Sequence, residues 1–256
     1  MTRKFLIITL VIIIVFSFEL VGCSNEQTAA PQTQTEAKAP ANESIWNTDE
    51  ILAQEPIMLR DKLLEAVGAT DKPIPYTYEE VVKFTGQSDG ATAGAWMMSV
   101  MALEVLYPDS IPVRGDIKIY APGPGDENHM GVFGEIFTYI TGAQTEIGFS
   151  GSNFGEAYGK SNRMIYPEEE SGIPFFKVEW IWERLDTGKK VGVIFNLALI
   201  QPKVTAEWEA LGKKIVDGLA SPEEIAQHTA YWQSRAPYVF ENARTLPGFI
   251  TVREIN

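Results

Sequence analysis

Residues 173–200 read IPFFKVEWIWERLDTGKKVGVIFNLALI. Two apolar-rich runs, 173–185 and 189–200, flank Asp186-Thr187-Gly188, a tripeptide of turn-forming residues. Phe176, Val178, Trp180 and Trp182 recur at every second position, so the spacing predicts a β-hairpin with one buried face. With a hairpin as the strongest strand pair, antiparallel pairing is favoured over a doubly wound parallel sheet.

Elements on either side fit the same class. Residues 84–106 read FTGQSDGATAGAWMMSVMALEVL. From Ala91 to Leu106 the apolar residues cover most of the circumference of a helix, as expected of a central, buried one. Thr77 is expected to cap a short helix over 78–84, with Glu79 and Glu80 at its favourable N-terminal end. A further helix is expected to open at Asp126-Glu127-Asn128 and to end at Gly142. Residues 115–123 and 161–167 read as strands. Two helices are expected over 206–219 and 222–244, the second opened by Ser221-Pro222-Glu223-Glu224, and residues 249–255 read as a closing strand. At the front of the folded part, Ile51, Leu52, Ile57, Leu59, Leu63, Leu64 and Val67 suggest a helical face running from Asn47, interrupted at Pro56 and stopped by Gly68. The fold class expected is α+β: an antiparallel sheet packed against helices, with additional C-terminal helices, in a single domain over 46–256.

The chain has 256 residues and a formal net charge of -13. Such a surface repels nucleic acid and anionic lipid, so neither is expected as a charge-driven partner. Cys23 is the sole cysteine, and His129 and His228 the only histidines. A disulfide and a cysteine-rich zinc site are thereby excluded within the chain. Any protein metal site would draw mainly on carboxylates and carbonyls.

The N-terminus reads as an address. Arg3 and Lys4 precede an apolar run over 5–18, too short to span a bilayer comfortably and suited to a secretory signal. Leu20-Val21-Gly22-Cys23 then resembles the lipobox of bacterial lipoproteins. The resemblance implies cleavage after residue 22, acylation of Cys23, anchoring to a lipid bilayer and an extracytoplasmic location on the cell or outer membrane. Residues 23–45, polar and without apolar period, are expected to be a disordered tether reaching on the order of 25 Å.

Three places offer ligand chemistry. In the glycine-rich turn, Ser88, Asp89 and Gly90 are able to contact a ligand or cation; turn formation and helix capping are the alternative use. Asp126, Glu127 and His129 are candidates for a divalent cation or for ligand contacts, with Asp126 and His129 on one helical face; an ordinary acidic first turn is the alternative. The segment 148–164 is rich in Gly and Ser, and Tyr158, Lys160 and Arg163 supply donors; it lacks phosphate-loop spacing and has a plain connection as its alternative. No His-Glu-x-x-His and no free cysteine nucleophile occurs. His228, on an expected helix, fits a packed surface residue rather than a base, and Trp180, Trp182 and Trp232 fit core or groove lining.

The pattern from Phe84 onward resembles the FmdE family, named for a component of formylmethanofuran dehydrogenase. Its members commonly carry His-Gly-His-x-Cys-Pro-Gly-x-x-x-Gly followed by an apolar helix, a strand and a helix ending near Thr-Gly. Gly90 and Gly94 match the two later glycines, and Thr141-Gly142 and Gly159-Lys160-Ser161-Asn162-Arg163 fall in the family's order, over roughly residues 75 to 200. The resemblance implies an FmdE-like scaffold. Phe84, Gly86 and Ser88 stand where its His and Cys ligands would be, and Asp89 replaces its Pro, so the ligand set does not carry over. The reading is an anchored lipoprotein whose domain binds a small molecule or a metal-containing ligand without catalysis. An extracytoplasmic carboxylate/His enzyme and an accessory component of a redox complex stand as alternatives. The cofactor and any protein partner are not identified by the sequence.

Overall fold

The computed structural model describes residues 49–51, 53–127, 129–169 and 177–255. The signal segment, Cys23, the tether, Asn47, Thr48, Leu52, Asn128 and Phe176, and the side chain of Val178, lie outside the described residues. After a short 3-10 turn the chain forms β1 (Ile57–Asp61), α1 (Lys62–Ala66), β2 (Ile74–Tyr76), α2 (Tyr78–Thr85) and α3 (Gly90–Leu106). Then come β3 (Val113–Arg114), β4 (Ile117–Tyr120), α4 (Met130–Thr141), β5 (Met164–Ile165), β6 (Lys177–Arg184) and β7 (Lys190–Asn196). The C-terminal part holds α5 (Ala206–Val216), α6 (Pro222–Gln233), α7 (Arg235–Asn242) and β8 (Ile250–Ile255).

The class is α+β, but the sheets are mixed. One has the order β2-β1-β3, the other β5-β4-β6-β7-β8. The β6–β7 hairpin forms as expected, with Trp180 opposite Val193 and Trp182 opposite Val191. The purely antiparallel expectation is corrected at two edges, where β1–β3 and β4–β5 are parallel. The β4–β5 connection contains α4, which gives the chain the length a parallel return requires.

The expected helix over the front segment is also corrected. Ile57, Leu59 and Asp61 face inward while Met58 and Arg60 face out, a period of two that the longer apolar spacing disguised. Gly68 does stop α1's turn in the left-handed region. α4 begins at Met130 rather than at Asp126, because the chain around residue 126 is still turning: Glu127 N–H donates to Pro124 O and Met130 N–H to Glu127 O. The expected C-terminal helix splits at Ser234. Pro237 has no N–H to bond Gln233 and its ring would strike that carbonyl, so α6 ends and α7 starts anew.

The core is layered on the inner face of the larger sheet. Trp180, Trp182, Val191, Val193 and Phe195 are fully buried there. Phe137 of α4 meets Trp180 and Trp182 edge-on at 5.0 and 4.9 Å between ring centroids, a favoured arrangement of ring quadrupoles. α3 lies against α4, α7 and β7, which explains its nearly all-round apolar sequence. A side chain on Gly94 would overlap the Phe195 ring, so glycine is what lets the backbone of α3 rest on β7. Gly94→Ala is expected to destabilise the protein by about 3 kcal/mol, the upper end for overpacking a core. A urea unfolding midpoint would register the loss, and Phe195→Leu in the same chain should recover part of it.

Candidate functional site

The turn before α3 is built by local hydrogen bonds. Thr77 and Glu80 form a reciprocal cap on α2, and Gly86 closes that helix in the left-handed region. The Ser88 and Tyr78 hydroxyls are 2.9 Å apart, and Tyr78 packs edge-on against Trp96 and Phe240. Asp89 caps α3: Oδ1 accepts from Ala91 N–H at 2.9 Å and Thr92 N–H at 2.8 Å. Gly90 opens the helix against its neighbours. A Cβ there would lie 3.0 Å from Ile200 Cδ1 and 3.6 Å from the Arg235 Cβ.

Beside this turn lies a cavity of about 540 Å³, within the size range of small-molecule sites. Asp89 and Ala91 form one side and His129 and Val132, at the start of α4, another. Leu197, Ala198, Ile200, Lys203 and Val204, from the segment after β7, form a third. Glu209, Trp232 and Arg235, from the C-terminal helices, complete it.

His129 is half-buried, and its side chain does not cap α4. Burial pushes its pKa below the usual imidazole value; the Asp89 carboxylate opposes this and the Arg235 guanidinium adds to it. At neutral pH the ring is therefore uncharged. Burial likewise lowers the Arg235 pKa, against the opposing pull of Tyr231 and Asp89, and an arginine so far above neutrality stays charged. Its guanidinium lies 4.8 Å from the centroid of the Trp232 ring. Trp232 is itself held, since its indole N–H donates to His228 Nε2 at 2.7 Å. Arg235 Nε is buried without a hydrogen-bond partner, and among the described residues the guanidinium has no ion pair. A cation so placed on a cavity wall can receive a carboxylate or phosphate.

Of the residues singled out from sequence, Asp89 and His129 come together on this cavity. Gly90 permits the packing behind it, and Ser88 serves Tyr78 instead. Asp126 is exposed and Glu127 half-buried, and neither lines the cavity. Among the described residues no three His, Cys, Asp or Glu side chains are grouped to hold a metal ion. Tyr158 and Lys160 are not on this cavity either. The Lys160 ammonium is 2.6 Å from Asp61 Oδ2, with both side chains largely buried, so the glycine-rich segment contributes a structural ion pair. That segment also borders a second cavity of about 600 Å³, lined by Ser150, Ser152, Glu156, Asn162 and Arg163 among others and without apolar side chains. Nothing there would favour burial of a ligand's carbon skeleton.

Arg235 and the 197–204 segment are the parts missed from sequence. The Pro237 break was the one available signal, since it sets Arg235 at a helix start three residues after Trp232. Comparison of the chain with family models, curated proteins and solved structures finds no match.

Two measurements test these assignments. His129 has a depressed folded pKa, so its contribution is complete above the ordinary value near 6.5 and is lost as pH falls below it. Thermal stability should therefore drop as pH falls from 7 to 5, and His129→Gln should flatten that part of the profile. Burial raises the Asp61 pKa, but the Lys160 hydrogen bond and charge, the Leu64 amide and Arg114 outweigh it and hold the carboxyl below the usual range. Lys160→Met should cost about 3 kcal/mol, the low end for stranding a buried charge because Arg114 remains 3.6 Å from Asp61. Asp61→Asn in the same chain should restore part of the loss in urea unfolding.

Proposed function

We propose that the protein is a lipid-anchored extracytoplasmic binding protein that holds a small molecule in the cavity beside Asp89, His129 and Arg235. The carrying observation is the half-buried guanidinium, without an ion pair among the described residues, on a wall otherwise rich in apolar side chains. Binding pockets commonly combine a mainly apolar lining with a few placed polar groups. The anchor is Cys23, and residues 23–45 hold the domain off the bilayer. The scaffold is proposed to be FmdE-like, with its metal-ligating turn rebuilt. Ser88 and Asp89 there pack and cap, and the polar contacts move to the C-terminal helices.

One observation favours a second reading. His129, neutral at pH 7, shares the cavity with the Asp89 carboxylate, which is the pairing an acid–base enzyme would use. Under that reading His129→Gln abolishes turnover of a bound compound while leaving its affinity nearly intact.

The test of binding uses the full-length protein in detergent, screened against small metabolites by thermal denaturation. A ligand at 100 times its Kd should stabilise by about 2.7 kcal/mol. Ala198 is an exposed residue on the cavity wall, so Ala198→Trp should block the cavity, remove the stabilisation and leave the unliganded Tm nearly unchanged. Stabilisation that survives Ala198→Trp would place binding elsewhere. Separately, Cys23→Ser is expected to end incorporation of labelled palmitate and to release the protein from the membrane fraction.

A further inference from the structure

Two opposite charges face the cavity and do not meet. Asp89 spends Oδ1 on the first amides of α3, and its Oδ2 makes no hydrogen bond among the described residues. Arg235 keeps a buried Nε without a partner. The two side chains spring from neighbouring backbone, because the Arg235 Cβ lies 3.6 Å from where a side chain on Gly90 would begin. Even so, no Asp89–Arg235 ion pair forms. A ligand that meets both gives the buried guanidinium a partner and fills the open valence of the carboxylate.

The rest of the wall narrows the chemistry. With His129 neutral, the ionised lining residues are Asp89 and Glu209 against Lys203 and Arg235, so the lining carries no net charge. A dianion such as a phosphate ester or dicarboxylate would bring excess negative charge to Asp89 and Glu209. A simple amine would leave the guanidinium unmatched. The same lining includes Val132, Leu197, Ile200 and Trp232, which offer an apolar side chain a surface to lie against.

From this arrangement we infer that the ligand is an amphipathic zwitterion of the amino-acid class. Its carboxylate takes the planar fork of Arg235, its ammonium group takes Asp89 Oδ2, and its apolar side chain lies against Trp232 and Ile200. The inference rests on the reading of this cavity as a binding site. Arg235 suits the carboxylate because a guanidinium presents paired donors in the geometry a carboxylate accepts.

The test is isothermal titration of the detergent-solubilised full-length protein with L-phenylalanine, 3-phenylpropionate, which lacks the ammonium group, and 2-phenylethylamine, which lacks the carboxylate. L-phenylalanine is expected to bind, and each truncated probe to bind at least about tenfold more weakly, the loss of one charge-assisted contact. Arg235→Gln should weaken L-phenylalanine at least as much. Asp89→Asn keeps the helix cap, since asparagine caps about as well as aspartate, so it guards against misfolding as the explanation. It should weaken L-phenylalanine while leaving 3-phenylpropionate unchanged, a shift in selectivity that a merely structural role would not produce. Equal affinity for all three probes, or an unchanged preference in Asp89→Asn, overturns the inference. So does failure of L-phenylalanine to bind. If another compound then binds in a manner blocked by Ala198→Trp, the ligand class falls and the binding reading stands. If L-phenylalanine binds equally well to Ala198→Trp, both fall.

Discussion

The contact on which the structure turns is between the bare backbone of α3 at Gly94 and the ring of Phe195 on β7. Because nothing projects from Gly94, a helix apolar around most of its surface can lie directly on the sheet. Much of its remaining surface is covered by α4 and α7, with Glu104 left exposed. That position places the start of α3, with Asp89 and Gly90, next to Ile200 and Arg235. The cavity is thus a by-product of how closely one helix approaches one strand. The aromatic cluster of Phe137, Trp180 and Trp182 fixes α4 on the same sheet, and with it the position of His129.

The two acidic groups that carry most of the electrostatic argument are handled in opposite ways. Asp61, almost fully buried, has Lys160 at 2.6 Å and Arg114 at 3.6 Å, and it accepts from the Leu63 and Leu64 amides. Both of its oxygens, which burial would penalise, are matched, and the group serves the fold. Asp89 has only its helix amides, and the nearby guanidinium of Arg235 rests over an indole ring instead. Charges that a fold completes internally hold it together. Charges left incomplete beside a cavity are available to a guest.

Much of this was legible from local pattern. Alternation at Trp180 and Trp182 revealed the hairpin, and the all-round apolar run revealed α3. Caps at Thr77, Ser221 and Gly142 marked helix ends near where the structure has them. Local pattern failed where long-range pairing decides. β1 alternates in only five residues, and its strand character comes from lying between β2 and β3. Parallel pairing at β5 leaves no mark in a strand of two residues. Asp89 and His129 were found because turn chemistry and histidine rarity make such residues visible. Arg235 was not, since one arginine among many basic residues carries no sign that it faces a cavity, and the helix expected over 222–244 ran through Pro237, whose break sets Arg235 at a helix start.

The hollow is walled by residues far apart in the chain, from Asp89 through His129 and Ile200 to Arg235. A guest seated there bridges the front of the domain to its final helices. Occupancy and the docking of α6 and α7 are then thermodynamically linked: a tightly held guest slows the fraying of these helices, and anything that peels them away ejects the guest. Such a linkage makes displacement of the C-terminal helices and departure of a guest two sides of one equilibrium, with no change required in the sheet beneath.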